Sequence, residues 1–286
     1  MIRRQLAPYA LISPAVLAVI VSIGACLAIL LILSFATQKY LAIDYNWTIA
    51  NYQQAVSSAV VHKLIIRSAV IAIIVTVLSL LLAYPIAYVI AFDLTENKLL
   101  WLVLFTLPCW ISYLLRILSW KLILGHNGVI NGSLLAFGAI DQPLSFLVYN
   151  PVSVVIALVH AWAPFAILPI YVSLEKIDRS LIQASGDLGE PPLRTFMRVT
   201  LPLSKPGVVA AGILIFVPTF GEYVTPQLIG GPSGAMIGNF IATQFGASNN
   251  WPLGATVSLL AMVTATFIVC IVLIGPQTLR LAMGRR

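Results

Sequence analysis

Apolar side chains run along this chain in long blocks, separated by short breaks rich in glycine, proline, asparagine and charge. A bilayer hydrocarbon core about 30 Å thick is crossed by about 20 apolar residues rising about 1.5 Å each. Measured against that length, six blocks predict spans at residues 11–36, 68–92, 99–124, 151–174, 206–228 and 252–276. The third contains Arg116, and the fifth is interrupted by Glu222. Between the last two lie Gly230-Gly231-Pro232-Ser233-Gly234 and Ser248-Asn249-Asn250-Trp251-Pro252, turn-rich stretches with room between them for a short re-entrant helix at 237–245. The first block follows Arg3-Arg4, but its apolar run exceeds the about 7–15 residues of a signal-peptide core, so it reads as an uncleaved anchor.

Composition agrees with lipid as the solvent. Of 286 residues, 60% are hydrophobic and 9% charged, with a mean hydropathy of +1.00. A soluble domain carries about 25% charged residues, and this apolar excess is too large for a single core beneath a wetted surface. The fold class expected is an all-α polytopic membrane protein: six transmembrane helices and a cytoplasmic loop. Its organisation reads as an N-terminal tail, first helix and outer loop (1–67), a transmembrane core (68–276) with a cytoplasmic loop at 175–205, and a basic tail (277–286). The net charge of +7 sits between apolar blocks rather than on one soluble face, which argues against a nucleic-acid partner.

With the N-terminus inside, the inner segments hold Arg3, Arg4, Lys98, Lys176, Arg179, Arg194, Arg198, Lys205, Arg280, Arg285 and Arg286. The outer ones hold Lys39, Lys63, Arg67 and Lys121, which is 11 against 4. Both termini and the 175–205 loop are therefore expected on the cytoplasmic side of the membrane. Cys26, Cys109 and Cys270 all fall inside apolar blocks without a CxxC pair and read as buried free thiols.

The loop after the fourth block is the most informative segment. Ile177, Leu181, Ala184 and Leu188 recur at helical spacing, with Asp178 or Ser180 available as a cap and Gly189 and Pro191-Pro192 to end the helix. Leu193, Phe196, Met197 and Thr200 make a second short stripe before Pro202 and Pro206. Two amphipathic helices meeting at a sharp bend are expected. Such helices either lie in the bilayer interface or fit a groove on a soluble partner.

Gln183-Ala184-Ser185, three residues, Gly189, nine residues and Val199-Thr200-Leu201-Pro202 resemble the EAA loop of bacterial binding-protein-dependent (MetI-like) ABC importer permeases. That family's pattern is Glu-Ala-Ala, three residues, Gly, nine residues and Ile-x-Leu-Pro, and the spacing is the same here. Gln183 stands where the family has Glu, Ser185 where it has its second Ala, and Val199 where it has Ile. A hydrogen bond through Gln183 would then replace an ion pair. Leu107-Pro108-Cys109-Trp110-Ile111-Ser112-Tyr113-Leu114-Leu115-Arg116 and Gly221-Glu222-Tyr223-Val224-Thr225-Pro226-Gln227-Leu228-Ile229-Gly230-Gly231 resemble the spermidine/putrescine-type branch of these permeases. The resemblance implies that Gln183, Ala184, Ser185, Asp187, Leu188, Gly189, Leu201 and Pro202 couple the chain to an ATPase. Gly189 is implied to sit at the bend of the coupling helix, where a side chain would obstruct packing. The implied partners are two ATP-binding subunits that hold ATP and Mg, a second and different permease subunit, and a periplasmic or lipid-anchored substrate-binding protein. No cofactor is expected in this chain.

Arg116 and Glu222, histidine apart, are the ionisable residues well inside predicted spans. A charge there costs about 2.5–3.5 kcal/mol and faces protein or a watery cavity. Either the two pair, with each other or with a second permease subunit, or Glu222 lines the path and offsets the desolvation of a cationic solute. In the second reading Trp110, Tyr113 and Tyr223 offer aromatic faces to an ammonium group. His160 reads as a packed neutral imidazole. No HExxH, GxSxG or Walker A pattern occurs, so no catalytic or metal site is expected, and a channel or secondary transporter is the rival to the importer.

Overall fold

The computed structural model describes residues 2–40 and 42–283, with side chains at 12–40 and 42–274. Arg285 and Arg286 lie outside the described residues, as do the side chains of Arg3, Arg4 and Arg280, so the basic tail is seen only as backbone.

In chain order, α1 (Ile2–Ser34) leads to a hairpin of β1 (Thr37–Lys39) and β2 (Ala42–Asp44), then α2 (Ala50–Ser57) and the long α3 (Ala59–Tyr88). After it come α4 (Lys98–Thr106), α5 (Tyr113–Leu124), α6 (Val129–Ala136) and α7 (Pro151–Glu175). The loop holds α8 (Arg179–Asp187); α9 (Pro192–Thr195) then runs on into α10 (Leu201–Phe220), and α11 (Gly231–Gly234), α12 (Ile237–Phe245) and α13 (Trp251–Met283) follow. Among the described residues, five helices are long and apolar enough to cross a bilayer unbroken, and a bent pair brings the number to as many as six. The all-α expectation holds, with one two-stranded hairpin beside it.

Packing divides the chain into two units, Met1–His62 with Phe240–Thr264 and Lys63–Asn239 with Ala265–Arg286. In the first, the open carbonyls at the end of α1 are captured by side chains. Asn51 Nδ2 donates to Ser34 O (3.1 Å) and Ala36 O (2.7 Å), and Thr256 Oγ1 donates to Ser34 O at 3.2 Å. Leu17 and Ile20 of α1 are each 62% exposed, as suits a helix presenting its side chains to lipid. Cys26 and Cys270 are exposed and Cys109 half-buried, so the expected burial of the thiols within the chain does not hold, although all three are free.

In the second unit α7 is the central element. Asn150 and Ser153 form a reciprocal cap ahead of Pro151, and Val154, Ala157, Leu158, Ile170 and Leu174 are fully enclosed. Gly207 of α10 lies against it so closely that an added Cβ would come within 2.4 Å of Ser173 Cβ and 2.6 Å of Pro169 O. Ser204 joins three helices at that level, its hydroxyl 2.8 Å from Tyr84 Oη and its carbonyl accepting from Ser173 Oγ at 3.3 Å.

Three span boundaries differ from the pattern. The third is not continuous over 99–124: it breaks in a 3-10 turn at Leu107–Trp110 and restarts at Tyr113, and the flanking helical segments are bent by 81°. Pro108 has no N–H to continue the ladder, and Ile111 turns extended after donating to Pro108 O. The fifth begins earlier and ends sooner than 206–228. It runs unbroken from Pro192 to Phe220, so the second stripe of the loop is its first turns and not a separate helix. A wide turn at Phe196–Thr200, where Leu201 N reaches back to Phe196 O, stands directly before Pro202. The second starts at Ala59 and carries Lys63 and Arg67 on the helix itself.

Gly207→Val should overpack the α7–α10 contact and cost about 1–3 kcal/mol, read as a lower melting temperature of the purified protein. Gly212→Ala, whose new Cβ would meet Leu80 and Thr76 at 3.7 Å, should leave that temperature unchanged.

Candidate functional site: a coupling bend and an aromatic cavity

The loop helix α8 forms as its caps dictate. Asp178 accepts from Ser180 N at 2.9 Å, and that bond to the backbone holds its carboxyl below the ordinary carboxylate range. The cap is therefore complete above the unfolded-state pKa and is lost as pH falls through the lowered one. At the other end Gly189 N donates to Gly186 O and Glu190 N to Ser185 O, a Schellman closure with Gly189 at φ +79°. Nothing lies within 4 Å of a Cβ placed at Gly189, so within this chain it is the left-handed backbone, not crowding, that requires glycine.

No residue of α8 is buried, and Leu188 is 84% exposed. Gln183, Ala184, Asp187, Leu201 and Pro202 are exposed as well. Ser185 turns inward across the bend, its hydroxyl 2.9 Å from Thr195 Oγ1, a link that alanine could not make. Glu190 fastens the next helix through Arg198 (2.6 Å) and Arg194 (3.8 Å).

The second site lies where the third and fifth spans break. Cys109, Trp110, Tyr113, Arg116, Ala161, Trp162, Phe165, Pro218 and Glu222 line a cavity of about 610 Å³. Arg116 is buried, donates to Ala161 O at 3.2 Å and lies 5.7 Å from the centre of the Tyr113 ring. Tyr113 Oη meets Thr225 Oγ1 at 2.6 Å. Trp110 is 87% exposed.

Glu222 is not inside the fifth span. It follows the end of α10, and its Oε1 accepts from Tyr223 N (3.1 Å), Val224 N (2.8 Å) and Thr225 N (3.3 Å), capping the turn that restarts there. It makes no ion pair with Arg116 within 4 Å; the ion pairs among the described residues lie elsewhere, at Lys39–Asp44, Lys98–Glu175 and Glu190. The pairing of the two with each other is thereby corrected.

Four of the five candidate path residues, Trp110, Tyr113, Arg116 and Glu222, thus share one cavity. Tyr223 is not in its lining: it is 47% exposed, and its carbonyl accepts from Asn239 Nδ2 at 2.8 Å. Trp162 and Phe165 also line it, and their only signal in the sequence was their one-turn spacing; Thr225, which lies within the motif at 221–231, joins the site through Tyr113. His160 is exposed within this chain, and its ring meets Trp120 in a T-shaped contact with 5.4 Å between ring centres.

The profile of the binding-protein-dependent transport system inner membrane component matches residues 98–279, well over half of the chain and inclusive of both sites. The chain belongs to this family. Among these transport components, the inner membrane ABC transporter permease protein YdcU of Escherichia coli (strain K12) is 32% identical over 227 residues, 76% of this chain and 72% of that one. The spermidine/putrescine transport system permease protein PotB of the same organism is 39% identical over 158 residues. That match covers 55% of this chain, which thus spans only 57% of PotB's length. A bacterial ABC transporter involved in the import of the acidic polysaccharide alginate shares the fold. Its TM-score is 0.67 at 18% identity, over 94% of each chain.

Glu222→Ala should remove the cap and cost about 0.5–2 kcal/mol, whereas Glu222→Gln keeps an acceptor oxygen and should unfold at the same denaturant concentration as the parent. Chemical denaturation in detergent checks both.

Proposed function

We propose that the chain is the permease subunit of an ATP-driven importer of the bacterial inner membrane, moving a small cationic solute of the polyamine class by alternating access. The observation that carries this reading is α8: an amphipathic helix of nine residues, closed at both ends by its own caps and with none of its residues buried. A helix so built, and so exposed, has the form of a part gripped from outside. Gln183, Ala184, Asp187, Leu188, Leu201 and Pro202 would be its contact surface, with Ser185 and Gly189 holding the bend.

In this reading both termini and α8 face the cytosol, as the lysine and arginine distribution favours. Two ATP-binding subunits carry ATP and Mg, since the sequence has no phosphate-binding loop. A second, different permease completes the pathway, and a periplasmic or lipid-anchored binding protein delivers the solute. Closure of the ATP-binding subunits biases the helices between two packings, inward- and outward-facing.

A cation is favoured by the Glu222 carboxylate and by the rings of Trp110 and Tyr113 at the cavity. Arg116 is drawn back against Ala161 O and serves as wall. The name of PotB supports the polyamine class.

The test is uptake of radiolabelled spermidine into liposomes that hold the chain with its partner subunits and binding protein. ATP-dependent uptake is expected, reduced roughly tenfold by Glu222→Gln without loss of assembly. Uptake through the chain alone, without ATP, would contradict the importer; ATP-driven uptake of other solutes but not spermidine would contradict the polyamine class.

A further inference from the structure

Three helix ends meet at one backbone carbonyl beneath the coupling bend, and a fourth is tied to them through Lys98. The last turn of α3 widens over Val89–Asp93, with Leu94 N reaching back to Val89 O. Ala91, 1% exposed, lies in that turn, where no later helical N–H remains to pair with its carbonyl. Two cations take that place. Arg179 Nη2, from the first residue of α8, donates to Ala91 O at 3.0 Å, and Lys98 Nζ, from the first residue of α4, donates to the same oxygen at 3.0 Å. Lys98 also holds both carboxylate oxygens of Glu175, the last residue of α7, at 3.0 and 3.1 Å. Positive charge at the C-terminal ends of α3 and α7 is stabilised by their dipoles, and bonds from charged donors are stronger than neutral ones.

The other arm of the bend grips the same helix. Phe196 meets Tyr84 edge-on at 5.6 Å and Tyr88 at 6.1 Å, while the Arg179 guanidinium lies 6.0 Å from the Phe92 ring. No residue of α8 is fully buried; half-buried Ile182 rests against the core, and these tethers add to that contact.

We infer that Arg179 and Lys98 are positioning residues of the transport cycle, Arg179 fastening α8 to the end of α3 and Lys98 fastening α4 and α7 to the same carbonyl, so that displacement of the coupling bend enters the membrane through α3, α4 and α7. This rests on the importer reading above. A bend held only by its chain connections would swing without moving α3. A bend clamped to Ala91 O carries α3 with it.

The assembled transporter, with its native cysteines replaced, is spin-labelled at Ser180 and Asp93, both exposed, and in a second sample at Trp110. The 180–93 separation should be the same without nucleotide and with ATP, while the label at 110 responds to ATP. In the Arg179→Ala/Lys98→Ala double variant the 180–93 distribution should broaden. The ATP response at 110 should fall roughly fivefold or more with ATP hydrolysis retained, and Arg179→Lys in place of alanine should recover it. An intact response at 110 in the double variant, or a wild-type 180–93 separation that changes with ATP, overturns the clasp alone. If the double variant does not assemble, the wild-type separation decides. No ATP response in wild type counts against the importer reading and the clasp together.

Discussion

In hydrocarbon no water replaces a lost backbone hydrogen bond, so every interruption of a span must be repaired by groups of the chain itself. That constraint organises this protein. The break after α10 is closed by the Glu222 carboxylate on three successive N–H groups. The wide turn at Pro226–Gly230 leaves Ile229 O to be taken by Tyr149 N at 2.7 Å and Ser153 Oγ at 2.8 Å. The widened end of α3 gives up Ala91 O to Arg179 and Lys98. Each repair brings a polar or charged side chain to a place an unbroken apolar helix would never need one, and both candidate functional regions lie at such places.

The helix α7 joins the two regions. Ala161, Trp162 and Phe165 stand at the cavity, and Glu175 stands in the clasp, about 20 Å further along at 1.5 Å per residue. Alongside runs α10, held to α7 at Gly207 and leading at its far end to Pro218 and Glu222 at the cavity. Because glycine brings the two backbones together without an intervening side chain, they have little freedom to slide independently. In the proposed cycle this pair is the rigid link between what the bend receives and what the cavity does.

Legibility in the sequence followed the same physics. The fourth span, the Asp178 cap and the Gly189 terminator rest on local rules, and the structure repeats them residue by residue. The breaks were harder to read because proline alone does not announce them. Pro85, Pro164, Pro169 and Pro206 sit inside continuous helices, while Pro108 accompanies a sharp bend. Whether a proline bends a helix depends on what can take up the freed carbonyl, and that partner is distant in sequence. For the same reason a pairing of Arg116 with Glu222 stood open beside the reading of Glu222 as a path residue: charge type was visible, but Ala161 O and the N–H groups of 223–225 were not visible as their partners. The aromatic cavity was half legible, through the two motifs that supply Trp110, Tyr113 and Glu222, and the α7 side of it was hidden in an apolar run.

The account stands or falls on what touches α8 in the membrane-bound assembly. A photo-crosslinker placed at Leu188, the exposed apolar residue that directly follows that helix, measures this directly in cells. Crosslinks to a cytosolic ATP-binding subunit are predicted, with a yield that changes when ATP is depleted. Crosslinks confined to lipid, or labelling of that position by a reagent that reaches only the outer face, would contradict it.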